Sequence, residues 1–233
     1  MCIRDRLKTT PKILAPIAGK TFLDWLLLWI ESWGMNISKE NILLSTCIGH
    51  EKIRNYCIEK NLNLDCIKET SPLGTFGALA YVATRKISKN YLILNGDTIF
   101  KADINQIYSQ FKKYVEPKPL IILKKSFNNS RYGGFKKIKD GWIFTNEKTQ
   151  HISLGSFFIR YEDLKKRWLS NTNIPFESQK INESDRETMI DKNLFGMSPV
   201  SAAILKEETP FIDIGIPESF KNAQTFIPKI ILD

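Results

Sequence analysis

Apolar positions along this chain alternate between short continuous runs and longer stretches with helical spacing. Phe22, Trp25, Leu26, Trp29 and Trp33 recur at three- and four-residue intervals, which predicts an amphipathic helix over 21–33 with Gly34 at its C-cap. The tryptophan stripe on that helix reads as core. Asn41 to Thr46 reads as a strand, Glu51 to Asn61 as a helix and Leu62 to Ile67 as a second strand. Thr75 to Arg85 predicts a helix, and Tyr91 to Leu94 a short buried strand bounded by turn residues. Asp103 to Tyr114 then reads as helical and Pro119 to Lys124 as extended. Gly134 to Ile138 and Trp142 to Asn146 flank Asp140-Gly141, a dipeptide suited to a tight hairpin turn. Ile152 to Arg160 predicts a strand, Tyr161 to Leu169 a helix, and 170–187 a polar loop leading into a short helix. Phe211 to Ile214 closes the strands and Pro217 to Thr225 the helices. Such alternation predicts an α/β fold, doubly wound around a mostly parallel sheet, with a small antiparallel hairpin subdomain.

Composition narrows the classes. The 233 residues are 42% hydrophobic and 25% charged, ordinary values for a globular chain. The longest greasy stretch, Leu26 to Ile30, is too short for a membrane span, and no signal-like leader stands at the start. Cys2, Cys47, Cys57 and Cys66 lack CxxC spacing, and His50 and His151 are the only histidines. That pattern favours a reduced, cytoplasmic protein over a disulfide framework or a zinc site. The net charge of +9 is spread along the sequence rather than gathered in one patch. It therefore points to a solvated surface and small anionic substrates, and away from nucleic acid or a membrane as partner. The oligomeric state stays open, a homo-oligomer included.

Candidate chemistry gathers at turns. Asn95-Gly96-Asp97 follows the strand Tyr91 to Leu94, which puts a carboxylate just past a strand's carboxyl end. Ligands bind at that edge of open α/β sheets, and a carboxylate there can hold Mg²⁺ against a substrate phosphate or simply cap a turn. Phe211-Ile212-Asp213-Ile214-Gly215 repeats the arrangement. Lys12, in a stiff and extended Pro11 to Pro16 stretch, can meet a phosphate as a point charge. Pro72-Leu73-Gly74-Thr75-Phe76-Gly77-Ala78 opens a helix whose glycines and N-terminus suit a phosphate. Glu147-Lys148 offers an acceptor for hydroxyls and a cation for phosphate.

In this order these segments resemble the sugar-1-phosphate nucleotidyltransferases, over nearly the whole chain from Pro11 to about Gln224. Family members carry Lys-Pro near the start, then Pro-Leu-Gly-Thr-x-Gly-Ala, Asn-Gly-Asp, Glu-Lys, Asn-Ala-Gly and Asp-Ile-Gly-Thr-Pro-Glu. Here these are Lys12-Ile13, Pro72 to Ala78, Asn95 to Asp97, Glu147-Lys148, Ser153-Leu154-Gly155 and Asp213 to Glu218. Arg131-Tyr132-Gly133 before the hairpin looks like the heptose-1-phosphate guanylyltransferase branch. The resemblance implies a Rossmann-like nucleotide-diphospho-sugar transferase fold. It also implies attack of a sugar 1-phosphate on the α-phosphorus of a nucleoside triphosphate, with loss of pyrophosphate. By that resemblance Asp97 and Asp213 hold Mg²⁺, Lys12 neutralises charge, and Leu73, Gly74, Thr75 and Gly77 line the nucleotide. Gly133, Glu147 and Ser153 face the sugar, with Lys148 near its phosphate.

Three departures stand out. Ser153 replaces the family's asparagine and Ile13 its proline. The family's first strand and its Gly-x-Gly-Thr-Arg loop are absent. Met1 to Arg6 resembles a translated adapter remnant, so the authentic sequence is expected to begin near Leu7 as a single domain over 7–233. A chain without the phosphate-wrapping loop is expected to be inactive and to leave an exposed edge beside the strand ending at Asn95. Three other readings remain: uridylyl or thymidylyl transfer to a hexose 1-phosphate, a catalytically silent sugar-nucleotide-binding homologue, and a basic nucleic-acid-binding protein.

Overall fold

The computed structural model describes residues 10–116, 118–126, 134–145, 147–171, 195 and 198–232. In chain order the elements are β1 (Pro16–Ile17), β2 (Lys20–Thr21), α1 (Phe22–Ser32), β3 (Leu43–Thr46), α2 (His50–Glu59), β4 (Asp65–Lys68) and α3 (Gly74–Ala83). There follow β5 (Asn90–Leu94), β6 (Thr98–Phe100), α4 (Ile104–Lys113), β7 (Leu120–Lys125), β8 (Gly134–Ile138) and β9 (Gly141–Thr145). The last are β10 (His151–Arg160), α5 (Tyr161–Asn171), β11 (Ser201–Leu205), β12 (Phe211–Asp213) and α6 (Pro217–Leu232). They gather into two compact units, one of Met1–Thr70, Asn95–Asn105 and Thr209–Asp233, the other of Ser71–Leu94 and Gln106–Glu208.

In the first unit, α1 starts at a capping box. The Thr21 hydroxyl accepts from the Asp24 amide at 3.2 Å, and the Asp24 carboxylate accepts from the Thr21 amide at 2.9 Å. The Tyr56 hydroxyl on α2 donates to the same carboxylate at 2.7 Å, tying the two helices together. Leu23 and Leu27 of α1 pack on Ile53 and Cys57 of α2 to form this unit's core. Beside it, β3 and β4 pair in parallel from Leu43↔Asp65 to Thr46↔Lys68. Cys57 and Cys66 bring their sulfurs to 3.9 Å, and burial pushes the Cys57 thiol up to about 12, so it stays protonated and unreactive. β1 and β2 form a minimal hairpin across Ala18 and Gly19, both left-handed at φ 44° and 80°. The Gln224 amide of α6 clamps it, accepting from the Ala18 amide at 2.9 Å and donating to the Pro16 carbonyl at 3.2 Å.

In the second unit the sheet runs β11-β7-β10-β8-β9, with β5 also paired to β10. Phe76, Leu79 and Ala83 of α3 and Leu164 and Trp168 of α5 cover it, meeting Ile121, Phe135, Trp142 and Phe157 in one core. Arg167 is the polar anchor of that layer. Its Nε lies 3.2 Å from both Asp163 oxygens, and its other nitrogens donate to the Ser198 and Pro199 carbonyls.

The α/β class stands as expected, but the pairing is less parallel than the alternation predicts. Among the described residues only β3–β4 and β11–β7 are parallel, because β10 runs antiparallel to β5, β7 and β8 alike. β5 pairs with β10 alone among those residues. β6 and β11 are additional to the predicted strands, and α6 runs to Leu232 rather than Thr225, carrying Pro228 inside it. Full burial of Ala223 and Ile227 holds that helix through the proline. Most of the loop predicted over 170–187 lies outside the described residues.

Two stability outcomes follow. Arg167→Met should cost about 3–5 kcal/mol in urea unfolding, because it leaves the Asp163 carboxylate buried without its counter-charge. Asp24→Asn should cost about 1 kcal/mol at neutral pH through loss of the capping box. Burial opposes ionisation of Asp24, but hydrogen bonds from Tyr56 and Thr21 and the charge of Lys60 bring its carboxyl below the ordinary 3.8. A depressed folded-state value stabilises the fold above that pH and is lost as pH falls through it. The deficit of Asp24→Asn should therefore shrink in unfolding curves taken below pH 3.8.

Candidate active site

The first cluster lies within the first unit and is built by one short strand pair. β6 and β12 are antiparallel, with Phe211↔Phe100, Ile212↔Ile99 and Asp213↔Thr98. The ladder runs one rung further, since the Ile214 amide donates to the Asp97 carbonyl at 2.9 Å. Asp97, in the turn before β6, and Asp213, ending β12, thus occupy neighbouring rungs. Thr98 donates to Asp97 Oδ1 at 3.3 Å, and the Gly215 amide donates to Asp213 Oδ1.

Lys12 reaches this pair from a single 3₁₀ turn, Lys12–Leu14, where the sequence suggests an extended stretch. The Leu14 amide bonds the Pro11 carbonyl at 2.9 Å and the Ala15 amide bonds the Lys12 carbonyl at 2.9 Å. Pro11 and Ile13, on either side, act as anchors. Pro11 packs on Gly49, where an added Cβ would meet its Cγ at 2.4 Å. Ile13 packs against the core of α1 and α2, in contact range of Gly96. Held so, Lys12 Nζ sits 3.0 Å from Asp97 Oδ2, both side chains about a quarter exposed (26% and 27%).

The second cluster lies within the second unit. α3 begins at Gly74, left-handed at φ 68°, after the buried Leu73. Its N-cap residue, Leu73, makes no side-chain capping bond and Gly74 is exposed, so the helix opens with an N-terminus that favours an anion. Gly77 is buried one turn on. Glu147 and Lys148 are exposed on the connection from β9 to β10. Ser153 lies at an irregularity of β10, whose register against β7 shifts between Ser153 and Phe157. Gly155 there has φ 65° and donates its amide to Ser153 Oγ at 3.0 Å, so the serine steadies the bulge. Arg131, Tyr132 and Gly133 lie outside the described residues.

Sequence reasoning passes over three contributors. Glu69, 8% exposed at the carboxyl end of β4, accepts from Ser45 Oγ at 2.8 Å. A glutamate three residues before Pro72 is the available signal. Gly134 faces the Glu147–Thr149 connection so closely that a Cβ would lie 2.7 Å from Thr149 Oγ1. Lys136 Nζ holds Glu147 Oε2 at 3.0 Å, a pairing that only the hairpin register reveals.

Fold and sequence point the same way. The fold is that of the nucleotide-diphospho-sugar transferases: the structure of HddC from Yersinia pseudotuberculosis, complexed with GMP-PN, superposes with a TM-score of 0.69 over 92% of this chain and 89% of that one, at 23% identity. Within that fold the chain is similar to sugar-1-phosphate guanylyltransferases. It is 26% identical over 227 residues to the D-glycero-alpha-D-manno-heptose 1-phosphate guanylyltransferase of Aneurinibacillus thermoaerophilus, covering 95% of this chain and 91% of the relative. It is also 26% identical over 226 residues to the Campylobacter jejuni protein of the same name, with 94% and 91% covered. No protein-family model matches the chain.

Gly49→Ala tests the anchoring of Lys12. It forces a side chain into a left-handed position and against Pro11, and should cost about 1–3 kcal/mol in thermal or urea unfolding. Gly34→Ala, equally left-handed but with open space around it, should cost less.

Proposed function

We propose that this chain is a guanylyltransferase, transferring GMP from GTP to the 1-phosphate of a heptose- or mannose-type sugar and releasing pyrophosphate. The observation that carries the reading is the Lys12–Asp97 ion pair one rung from Asp213. Its support is that family likeness to heptose 1-phosphate guanylyltransferases spans nearly the whole chain.

In the reaction a sugar-phosphate oxygen forms a bond to the α-phosphorus while the bond from that phosphorus to the β-bridging oxygen breaks. Such chemistry needs alignment and charge neutralisation more than covalent help from the protein. Lys12 Nζ neutralises charge that builds toward pyrophosphate. The first amides of α3 at Gly74 and Thr75 hold phosphate oxygens, and Lys148 meets the sugar phosphate. Glu147 accepts hydrogen bonds from sugar hydroxyls, with Ser153 beside the sugar.

A divalent ion fits the donor set. Asp97 and Asp213 are hard oxygen donors on adjoining rungs, and Mg²⁺ is commonly held by one or two carboxylates plus substrate phosphates. Among the described residues no group of three or more His, Cys, Asp or Glu forms a self-sufficient metal cage. When bound, the ion would add positive charge at the phosphates.

Pyrophosphate release measured with a panel of nucleoside triphosphates and sugar 1-phosphates tests the reading. The assay uses the 233-residue chain and the form that includes whatever its gene encodes upstream of Leu7. GTP with a heptose or mannose 1-phosphate should give the highest kcat/KM. We propose that the 233-residue chain by itself binds without turnover. Asp97→Asn and Asp213→Asn should each lower kcat about a hundredfold or more while unfolding curves stay unchanged, and chelation of divalent ions should abolish turnover. Preference for UTP or dTTP would overturn guanylyl transfer, and binding without turnover in the longer form would favour the silent homologue.

A further inference from the structure

Glu147 is not held by its own backbone alone. Its amide donates to Thr145 Oγ1 at 3.1 Å at the end of β9. At the other end of the connection Thr149 Oγ1 donates to the His151 carbonyl at 2.9 Å and accepts from the His151 amide at 3.2 Å. Between these ties the chain crosses Gly134, where only a missing side chain leaves room. Lys136 follows two residues along β8. Strand alternation puts Gly134 and Lys136 on one face and sends Phe135 into the core on the other. Lys136 is cross-strand from Ile143, and Gly134 from Thr145. The register therefore delivers the Lys136 ammonium to the side over which Glu147 is folded, where Nζ lies 3.0 Å from Oε2.

We infer that Lys136 is a positioning and specificity residue for the sugar, forming with Glu147 a donor–acceptor pair that reads neighbouring hydroxyls. The inference rests on the reading of Glu147 as a sugar ligand. An exposed ion pair contributes little to stability, so a stability role does not account for this one. Its chemistry suits a polyol. An ammonium has three donors, and one is used on Glu147; a carboxylate has two acceptor oxygens, and Lys136 takes Oε2. A hydroxyl donating to Oε1 and a neighbouring hydroxyl accepting from Nζ would complete both groups. The ammonium also keeps the carboxylate in one rotamer before the sugar arrives, which lowers the ordering cost of binding.

The test is equilibrium binding of mannose 1-phosphate, and separately of inorganic phosphate, by titration calorimetry to wild type, Lys136→Ala, Lys136→Arg and Glu147→Gln. Lys136→Ala should melt like wild type, since Lys136 is 43% exposed. It should weaken mannose 1-phosphate binding about five- to tenfold and leave phosphate binding unchanged, with Lys136→Arg within about twofold of wild type. Equal losses for mannose 1-phosphate and phosphate would make Lys136 a plain phosphate cation and overturn the inference. So would wild-type sugar binding in Lys136→Ala while Glu147→Gln is impaired. If Glu147→Gln also binds like wild type, or wild type does not bind mannose 1-phosphate, the underlying assignment of Glu147 fails and the inference with it.

Discussion

The three-rung ladder between β6 and β12 is the constraint on which the first cluster depends. It is short, but Thr98, Ile99 and Phe100 are almost wholly buried, and Ile212 across from them is 7% exposed. Both faces of β6 are buried, so a one-residue slip would force each side chain into space packed for its neighbour, and packing fixes the register. Fixing it sets Asp213 against Thr98 and leaves Asp97 one rung away. Two aspartates from distant parts of the chain are thus brought to adjoining rungs by core packing. Lys12 then supplies a counter-charge from a turn that Pro11 and Ile13 pin at both sides.

The second cluster follows the same logic with different means. A hairpin register, a glycine without a Cβ and a bulge in β10 place Glu147, Lys136 and Ser153. The groups are exposed or half-buried, but the backbone that carries them is tied down by Thr145, Thr149 and the Ser153–Gly155 contact. Rigid backbone under polar side chains is what the proposed sugar site requires, because hydroxyl recognition depends on direction more than on buried area.

Much of this was legible in the sequence. The tryptophan stripe of α1, the Asp140-Gly141 hairpin and the glycine-bounded turns at Asp97 and Asp213 all carry local signals, and local signals survive folding. What escaped was non-local. β6 has only three residues and β11 pairs at the edge of the sheet, so neither shows a period long enough to read. Mostly parallel pairing followed from the alternation of strands and helices, but β10 enters from a hairpin and reverses every partner it meets. Pro228 suggests a helix end that burial of Ala223 and Ile227 overrides. Ser153 departs from the family's asparagine, and its local bond to Gly155 shows a steadying task that no motif could reveal. Lys136 carried no signal at all, because its meaning lies in a cross-strand neighbour's loop.

The central claim is that Asp97 and Asp213 act as one divalent-ion site beside Lys12. Its most direct test is Mn²⁺ binding in the presence of GTP, followed by water-proton relaxation, with Mn²⁺ standing in for Mg²⁺. The account predicts a protein-bound ion in the wild type that Asp97→Asn and Asp213→Asn each weaken strongly, with no added loss when the two are combined. Wild-type Mn²⁺ binding in either single variant would contradict it.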